Sequence, residues 1–226
     1  PVDSANLFAS FFERNLQKEQ IIISPAIEIK FFSRPKILKK TTNLIFTSSN
    51  GVKAAGQAVN NNIRAICVGD RTTSLASSLG YSAEKYGDNV EQLIKKLCLS
   101  KKIEGDILHI RGKYTKVDLM NRLRKAGFLC HEWEGYDQIA KNLSFEALNA
   151  FKNGQKIILP IFSERSGRLL KDQIPNFDKC HIIAISSAVA NVFLDVSPAS
   201  ISEAQTPDLV GMRSSTKTVL ENAHLE

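Results

Sequence analysis

Short apolar runs rich in Ile, Val and Phe alternate along the chain with stretches of helical period. This alternation is typical of strands and crossover helices in a parallel sheet, so it predicts an α/β fold. Strands are predicted at residues 21–24, 44–47, 65–69, 106–112, 128–136, 156–162 and 181–186. Helices are predicted between them, including residues 4–17 and 115–126.

The two halves of the chain are similar in sequence. Residues 45–51 (IFTSSNG) align with residues 161–167 (IFSERSG). Residues 66–72 (ICVGDRT) align with residues 183–189 (IAISSAV) at almost the same offset. Each aligned segment ends a predicted strand and opens a predicted helix, so we interpret the chain as an internal repeat.

The repeat predicts a discontinuous domain. The first copy continues into strand 106–112, helix 115–126 and strand 128–136, whereas the second copy ends before these elements. Helix 4–17 and strand 21–24 match the last two of them. We therefore expect that the N-terminus completes the second copy and that the first copy is an insert.

The predicted boundaries follow from this arrangement. The discontinuous domain takes residues 1–28 and 142–226, the inserted domain takes residues 31–138, and linkers lie near 27–31 and 135–141. The strand equivalent to 106–112 has no counterpart in the second copy. We expect it ahead of Pro1 in the native protein, as a strand of about 5 to 8 residues.

Composition and charge narrow the classes of protein and of partner to consider. Of the 226 residues 43% are hydrophobic and 23% are charged, which is ordinary for a globular protein. The formal charge of +7 favours an anionic partner, which could be nucleic acid, anionic lipid or a polycarboxylate. The sequence has no apolar run of membrane-spanning length and no signal-peptide pattern, so we expect a cytoplasmic protein.

Candidate ligand-binding loops follow the predicted strands, where open parallel sheets bind their ligands. Residues 47–51 supply hydroxyls, an amide and a glycine beside a helix start, a combination suited to carboxylate or phosphate oxygens. Simple helix capping is the alternative interpretation. The recurrence of the pattern at residues 163–167 favours a ligand site.

Other strand ends carry further candidates. Residues 69–72 form a second corner with a threonine, and residues 111–113 place two cations around a glycine. Glu132, Glu134 and Tyr136 alternate along one strand and share a face. One interpretation is a pair of carboxylate and phenol, and the other is a solvated face for the two glutamates. Tyr136 differs because it lies at the predicted domain crossing.

The sequence lacks the motifs that bind several classes of cofactor. The chain has no dinucleotide or P-loop fingerprint. Its four histidines are scattered, and we interpret them as satisfied or surface side chains rather than metal ligands. We interpret the cysteines as reduced, buried thiols because each is isolated among apolar neighbours. We expect neither a metal nor a nucleotide cofactor.

Together these features resemble the uroporphyrinogen-III synthase family over nearly the whole chain. The motifs that carry the resemblance are F-T-S-x-N-[AG]-V at 46–52, V-G-x-x-T at 68–72, G-x-[NA]-x-x-x-L at 87–93, R-G at 111–112, Tyr136, S-x-R-S-[AG] at 163–167 and the Thr206-Pro207 pair. The resemblance rests on their order, since no single motif is decisive.

The resemblance implies two similar parallel-sheet α/β domains of the flavodoxin-like type, joined by a two-stranded linker around a cleft. It implies a cofactor-independent lyase of haem biosynthesis that acts as a monomer without nucleic acid or membrane. Its substrate would be hydroxymethylbilane, a linear polycarboxylate handed over transiently by the preceding deaminase. The enzyme would remove the terminal hydroxyl as water and close the ring with its last pyrrole inverted, giving uroporphyrinogen III.

The resemblance also implies site residues. Tyr136 matches the family's tyrosine and would donate a proton to the leaving hydroxyl. The substrate-binding residues would be Thr47, Ser48, Ser49, Asn50, Gly69, Thr72, Asn89, Arg111, Gly112, Lys113, Ser163, Arg165, Ser166, Ser186 and Ser187.

One position departs from the family pattern. Val189 stands where a threonine is expected, and Ser186 or Ser187 would replace its hydroxyl. This departure keeps open a non-catalytic module that binds anionic tetrapyrroles. A weaker alternative, nucleic-acid binding, rests on the charge alone.

Overall fold

The computed structural model describes residues 2–13, 20–36, 41–59, 62–100, 103–114 and 118–223. The chain forms two compact units. The inserted unit comprises Ile29–Ile139, and the discontinuous unit comprises Pro1–Glu28 together with Ala140–Glu226. No helix in the described ranges is long and apolar enough to cross a membrane.

The inserted unit is built on a sheet with the strand order β1-β6-β5-β2-β3-β4. Its elements are β1 Ile27–Phe31, β2 Asn43–Phe46, α2 Ser49–Ala55, β3 Arg64–Val68, α3 Asp70–Ser78, β4 Ser82–Gly87, α4 Val90–Ser100, β5 Ile107–Gly112, α5 Leu119–Lys125 and β6 Cys130–Ala140, where β1 and β6 continue past the unit's boundaries. Strands β2 to β6 pair in parallel. Backbone bonds from Phe32 to Gly135 and from Lys141 to Ala26 show that β1 and β6 run antiparallel.

The discontinuous unit has a smaller parallel sheet in the order β7-β8-β9. Its elements are α1 Val2–Ala9, α6 Phe145–Lys152, β7 Ile157–Ile161, α7 Glu164–Lys171, β8 Cys180–Ala184, α8 Ser187–Ala190, a 3₁₀ helix at Asn191–Phe193, β9 Ser200–Glu203 and α9 Leu209–Ala223. The two sheets confirm the predicted α/β fold with parallel strands.

Strand β2 shows why the central segments of the inserted unit fold as they do. Leu44 and Phe46 pack with Leu108 and Ile110 on one face of the sheet. Ile45 is fully buried in the core on the other face. A strand covered on both faces is apolar at every position, which produces a continuous rather than an alternating hydrophobic run.

Three strands lie outside the predicted set because their sequences lack such runs. Strand β4 reads SAEKYG and β9 reads SISE, and each lies at the edge of its sheet. Strand β1 falls within a predicted linker. Edge strands bury few side chains, so hydrophobic patterning gives little sign of them.

The strand predicted at residues 21–24 is absent, and this prediction is wrong. Ile21 and Ile22 do pack into different apolar clusters, as side chains of an extended chain would. In the inserted unit the matching strand β6 bonds to β5. Among the described residues of the discontinuous unit no strand takes the place of β5, so residues 21–24 have no strand to pair with.

The predicted helices are shorter in the structure. Helix α1 ends at Ala9, and turns follow it up to residue 13. The remainder of predicted helix 4–17 lies outside the described residues. Helix α5 begins at Leu119, after Asp118 caps it by accepting from the Asn121 N–H. Residues 115–117 of that prediction also lie outside the described ranges.

The internal repeat is present with a corrected register. Phe46 pairs with Cys67 in the larger sheet, and Ile161 pairs with Ala184 in the smaller one. Because Cys67 matches Ala184, Phe46 corresponds to Ile161 rather than to Phe162. The sequence alignment of residues 45–51 is thus wrong by one residue, since the common I-F pair favoured the shifted match.

Candidate functional site

The loops that follow β2, β3 and β5 lie at the same edge of the larger sheet, because these strands are parallel neighbours. Ser48 is the N-cap of α2, and its Oγ accepts a hydrogen bond from the Gly51 N–H at 3.3 Å. The side chains of residues 47–50 are half-buried. This loop therefore combines helix capping with partly accessible hydroxyl and amide groups.

Tyr136 lies beside this loop. Its phenol oxygen is 2.9 Å from Ser48 Oγ, and the residue is only 7% exposed. Burial raises the pKa of Tyr136 above its ordinary value of 10.0, and hydrogen bonds to Ser48 and to the Gly112 backbone partly offset this rise. The phenol is therefore protonated at neutral pH.

Gly112 lies against the face of the Tyr136 ring. A Cβ at position 112 would meet the ring carbons Cε2 and Cζ at 2.8 and 2.9 Å, a separation that real Cβ atoms do not show. Only glycine allows the strand to approach the ring this closely. The glycine of the R-G motif therefore determines where the phenol lies.

A β-bulge orients Tyr136. Arg111 pairs with Glu134, but the next residue, Gly112, pairs with Tyr136, so Gly135 has no partner in β5. A Cβ at Gly135 would lie 2.8 Å from the Ala54 Cβ and 2.9 Å from the Ile110 side chain. Bulges redirect neighbouring side chains and are common near active sites.

Both terminal nitrogens of the Arg111 guanidinium contact groups of its own unit. One terminal nitrogen donates to the carbonyls of Gly112 and Lys113 at 3.0 and 3.3 Å. The other lies 3.0 Å from a carboxylate oxygen of Glu132 and 3.0 Å from one of Glu134. Both glutamates are exposed, as the interpretation of a solvated face predicts, and each also forms an ion pair with Arg111. The prediction that Tyr136 shares their face is wrong, because the bulge at Gly135 turns Tyr136 to the opposite face, where it packs with Ile110.

His109 is not among the predicted site residues, but it is buried beneath the loop. Its Nε2 lies 3.3 Å from Thr47 Oγ1, and the residue is 3% exposed. Burial lowers the pKa of His109 from 6.5 to about 4, so the ring is neutral at physiological pH. Only the alternation of β5, which places His109 and Arg111 on one face, could have indicated this position.

The corner after β3 is more open. Gly69 is the N-cap of α3 with a φ of 77°, and no atom lies within 4 Å of where its Cβ would be. Thr72 is buried at 5% exposure.

Two further predicted residues follow other strands. Asn89 accepts a hydrogen bond from the Gln92 N–H at 3.0 Å, so it serves at least as a helix cap. Lys113 is half-exposed, with its Nζ 3.7 Å from Asp137.

In the discontinuous unit, Ser163 repeats the arrangement of Ser48. It is the N-cap of α7, and its Oγ accepts from the Ser166 N–H at 3.1 Å and lies 2.9 Å from the Ser166 hydroxyl. Arg165 in the first turn of α7 is half-buried. The N-cap serines confirm the corrected register, because Ser48 and Ser163 each lie two residues after a strand end.

The corner after β8 corresponds to the one after β3. Ser186 is the N-cap of α8 without a side-chain capping bond, and Ser187 is exposed. Val189 is 2% exposed and packs in the core of this unit. Thr72 and Val189 each lie three residues after an N-cap, so both members of this repeated position point into a packed interior.

Within the described ranges no group of three His, Cys, Asp or Glu side chains could hold a metal ion. The four cysteines are free thiols; Cys67, Cys130 and Cys180 are buried and Cys98 is half-buried.

Comparisons with known proteins agree with this fold. A family model described as uroporphyrinogen-III synthase HemD matches residues 14–212. The structure of uroporphyrinogen-III synthetase from Helicobacter pylori is similar with a TM-score of 0.67 and 17% identity, over 89% of this chain and 95% of that one. No curated protein matches the chain significantly.

A mutant uroporphyrinogen III synthase from Thermus thermophilus is similar with a TM-score of 0.54 and 13% identity, over 98% of this chain and 97% of that one. At these identities the two structures establish the fold alone. The parallel sheets and the helices that follow their strands define an α/β protein of the open parallel-sheet class. Because the family model matches most of the chain, the chain belongs to the uroporphyrinogen-III synthase family. It is a cofactor-independent lyase that forms uroporphyrinogen III from hydroxymethylbilane in haem biosynthesis.

Proposed function

We propose that the strand-end loops of each unit bind the carboxylates of hydroxymethylbilane and that Tyr136 is the proton donor of the reaction. The binding groups in the inserted unit are the hydroxyls, amides and backbone N–H groups of Thr47, Ser48, Ser49, Asn50, Gly69, Thr72, Asn89, Gly112 and Lys113. Those in the discontinuous unit are Ser163, Arg165, Ser166, Ser186 and Ser187. Hydroxyl and N–H donors suit a polycarboxylate, and the charge of +7 attracts one.

The contact between Ser48 and Tyr136 carries the catalytic proposal. Ser48 Oγ already accepts the Gly51 N–H, so its own O–H can donate to the phenol oxygen at 2.9 Å. The Tyr136 O–H is then available to a substrate hydroxyl. A buried, protonated phenol is a suitable general acid, and no neighbouring histidine among the described residues competes, because His109 lies beneath Thr47.

The proposed reaction begins when Tyr136 gives its proton to the terminal hydroxyl of hydroxymethylbilane. The C–O bond breaks and water leaves. The last pyrrole then attacks the carbon that lost the hydroxyl, through a spiro intermediate, and the ring closes with that pyrrole inverted. The proton that the pyrrole carbon releases on closure returns to the Tyr136 phenolate, so that one water is lost overall and the phenol is restored. Closure without inversion gives isomer I, so the binding loops must hold the chain in the geometry that leads to isomer III.

The direct experiment generates hydroxymethylbilane in situ with a deaminase, adds this protein, oxidises the products and separates porphyrin isomers I and III by chromatography. An excess of isomer III is expected. Isomer I alone, from protein that is folded by circular dichroism, would contradict the proposal.

The finer organisation of the molecule is part of the same proposal. The domains would comprise residues 1–28 with 142–226 and residues 31–138, both of the flavodoxin-like type, with β1 and β6 as the two-stranded linker. The enzyme would be a cytoplasmic monomer that receives its unstable substrate from the deaminase. Sedimentation of the enzyme alone and mixed with the deaminase tests the monomeric state and the hand-over.

The alternative of a non-catalytic tetrapyrrole-binding module rests on Val189, and the family match does not favour it. That side chain is packed in the core of its unit, and Thr72 is likewise buried in the repeat. A hydroxyl at either position is therefore poorly placed to reach solvent, so the valine at position 189 is not evidence against catalysis. We accordingly propose that Thr72 binds the substrate through its backbone N–H group rather than through its hydroxyl. The isomer assay separates the two candidates, because a binding module yields only isomer I.

A further inference from the structure

The sequence predicts that Arg111 binds a substrate carboxylate, but its hydrogen bonds leave no donor for one. The Nη1 atom serves the carbonyls of Gly112 and Lys113, and the Nη2 atom contacts the carboxylates of Glu132 and Glu134. The remaining N–H, on Nε, is buried and has no hydrogen-bond partner among the described residues. All donors of the guanidinium are thus used or enclosed.

The two carbonyls that Arg111 binds belong to the residues that support Tyr136. Gly112 lies directly against the phenol ring. The Lys113 N–H donates to the Tyr136 carbonyl at 2.9 Å. Movement of this short segment would therefore change the position of the phenol.

Arg111 also spans the β-bulge that orients Tyr136. Glu132 and Glu134 precede the bulge on β6, whereas Gly112 and Lys113 lie beyond it at the end of β5. A single guanidinium therefore ties the two strands together at the point where their regular pairing is interrupted. The planar, multidentate geometry of arginine suits this role, and a lysine could not reproduce it.

We propose that Arg111, held by Glu132 and Glu134, is a positioning residue that fixes Gly112 and Lys113 and through them Tyr136. It does not bind substrate. This inference rests on the proposed role of Tyr136 in catalysis.

Steady-state kinetics on hydroxymethylbilane with Arg111→Lys separate positioning from substrate binding. A positioning residue acts on the chemical step, so kcat is expected to fall about 10- to 100-fold while KM stays within about two-fold. A rise in KM at unchanged kcat would overturn the inference, because it is the result expected of a direct substrate ligand.

The double variant Glu132→Gln/Glu134→Gln provides an independent test with Arg111 intact. Positioning predicts a lower kcat, as in Arg111→Lys, because the guanidinium is no longer held. Direct binding predicts a lower KM, because the freed guanidinium could meet a substrate carboxylate. The second result would overturn the inference even if Arg111→Lys fails to fold.

Arg64→Lys is the matched control. Arg64 lies in the same sheet and, like Arg111, pairs with a glutamate, at 3.2 Å to Glu84. It also donates to the Tyr86 hydroxyl at 2.6 Å. It starts β3, at the opposite end of the strand from the site. Its replacement is expected to leave kcat unchanged, and an equal loss of kcat in this variant would show that Arg111 acts only through general stability.

A substrate-free readout distinguishes failure of this inference from failure of the proposed function. The pKa of the phenol is measured by a pH titration of the protein with ¹³C at the tyrosine Cζ atoms, followed by NMR. The Tyr136 signal is assigned as the one that is missing from Tyr136→Phe. Arg111→Lys is expected to expose the ring and bring that pKa down toward 10.0. An unchanged pKa would overturn positioning, whether or not the wild-type protein makes isomer III.

Discussion

Ser48 Oγ lies 2.9 Å from the phenol oxygen of Tyr136, although 88 positions separate the two residues in sequence. The same oxygen accepts the Gly51 N–H at the start of α2. One serine therefore fixes a helix terminus and contacts the proposed proton donor. Its repeat equivalent, Ser163, keeps the capping role with Ser166 as its side-chain partner.

Replacing Ser48 is expected to affect stability and catalysis together. Ser48→Ala removes an N-cap, which costs about 1 kcal/mol of unfolding free energy. It also removes the hydrogen bond that lowers the pKa of Tyr136, so that pKa should rise and the phenol should become a weaker acid. We expect a lower kcat, measured with the isomer assay, beside a small loss of stability in urea.

Ser144→Ala is the control for that prediction. Ser144 caps α6 in the same way, accepting from the Ala147 N–H at 3.2 Å, but it has no proposed part in the reaction. It should lose similar stability and retain wild-type kcat. Equal kcat values for the two variants would remove Ser48 from the mechanism.

Tyr136→Phe tests the proton donor directly. Loss of the phenol oxygen should lower kcat by up to about 100-fold, which is the lower range of general acid catalysis. The isomer ratio should still favour isomer III, because the binding loops are intact. Tyr81→Phe removes another buried hydroxyl of the same unit, which donates to the Gly56 carbonyl at 2.8 Å. It should keep full activity, and wild-type kinetics in Tyr136→Phe would contradict the assignment.

Gly112→Ala tests the close approach of β5 to the ring. The added methyl would lie 2.8 Å from a ring carbon, so the ring must move. We expect a loss of about 1–3 kcal/mol in unfolding free energy, as for other overpacked sites, with reduced kcat. The effect on kcat should largely disappear when Gly112→Ala is made in the Tyr136→Phe background. Full additivity of the two losses would mean that Gly112 acts elsewhere.

The sequence predicts the central strands well because burial on both faces of a sheet requires an apolar residue at every position. Leu44, Ile45 and Phe46 are all fully buried and form one continuous apolar run. Strands β4 and β9 could not be found this way, since the edge of a sheet accepts polar residues. The strand expected at residues 21–24 failed for another reason: side-chain pattern does not reveal whether a pairing partner exists.

For the candidate site, sequence reasoning named a loop and a tyrosine that are in contact in the structure, but not the other contacts that orient them. The R-G motif indicated Arg111 and Gly112, and two cations around a glycine at a strand end predicted that Arg111 binds a substrate anion. Its partners Glu132 and Glu134 lie on another strand, 21 and 23 residues away, and only the pairing of β5 with β6 brings them beside Arg111. Such long-range polar pairing has no local signal.

His109 gives a final prediction, on the dependence of stability on pH. Its pKa is about 4 in the folded protein because burial disfavours the charged ring, against 6.5 when unfolded. Between pH 6.5 and pH 4 the unfolded state binds more protons than the folded state. The contribution of neutral His109 to the free energy of unfolding is therefore fully present above pH 6.5 and is lost as the pH drops toward 4. The loss attributable to His109 is about 3 kcal/mol over this window.

Urea unfolding of the wild type and of His109→Gln, at pH values from about 7.5 to about 4.5, measures this contribution. Other groups titrate alike in both proteins, so the difference between the two curves isolates His109. The variant should begin less stable, because glutamine cannot reproduce the contact with Thr47, and it should lose less stability on acidification. Parallel curves would mean that the imidazole takes up a proton as readily in the folded as in the unfolded protein, which would contradict a lowered pKa of His109.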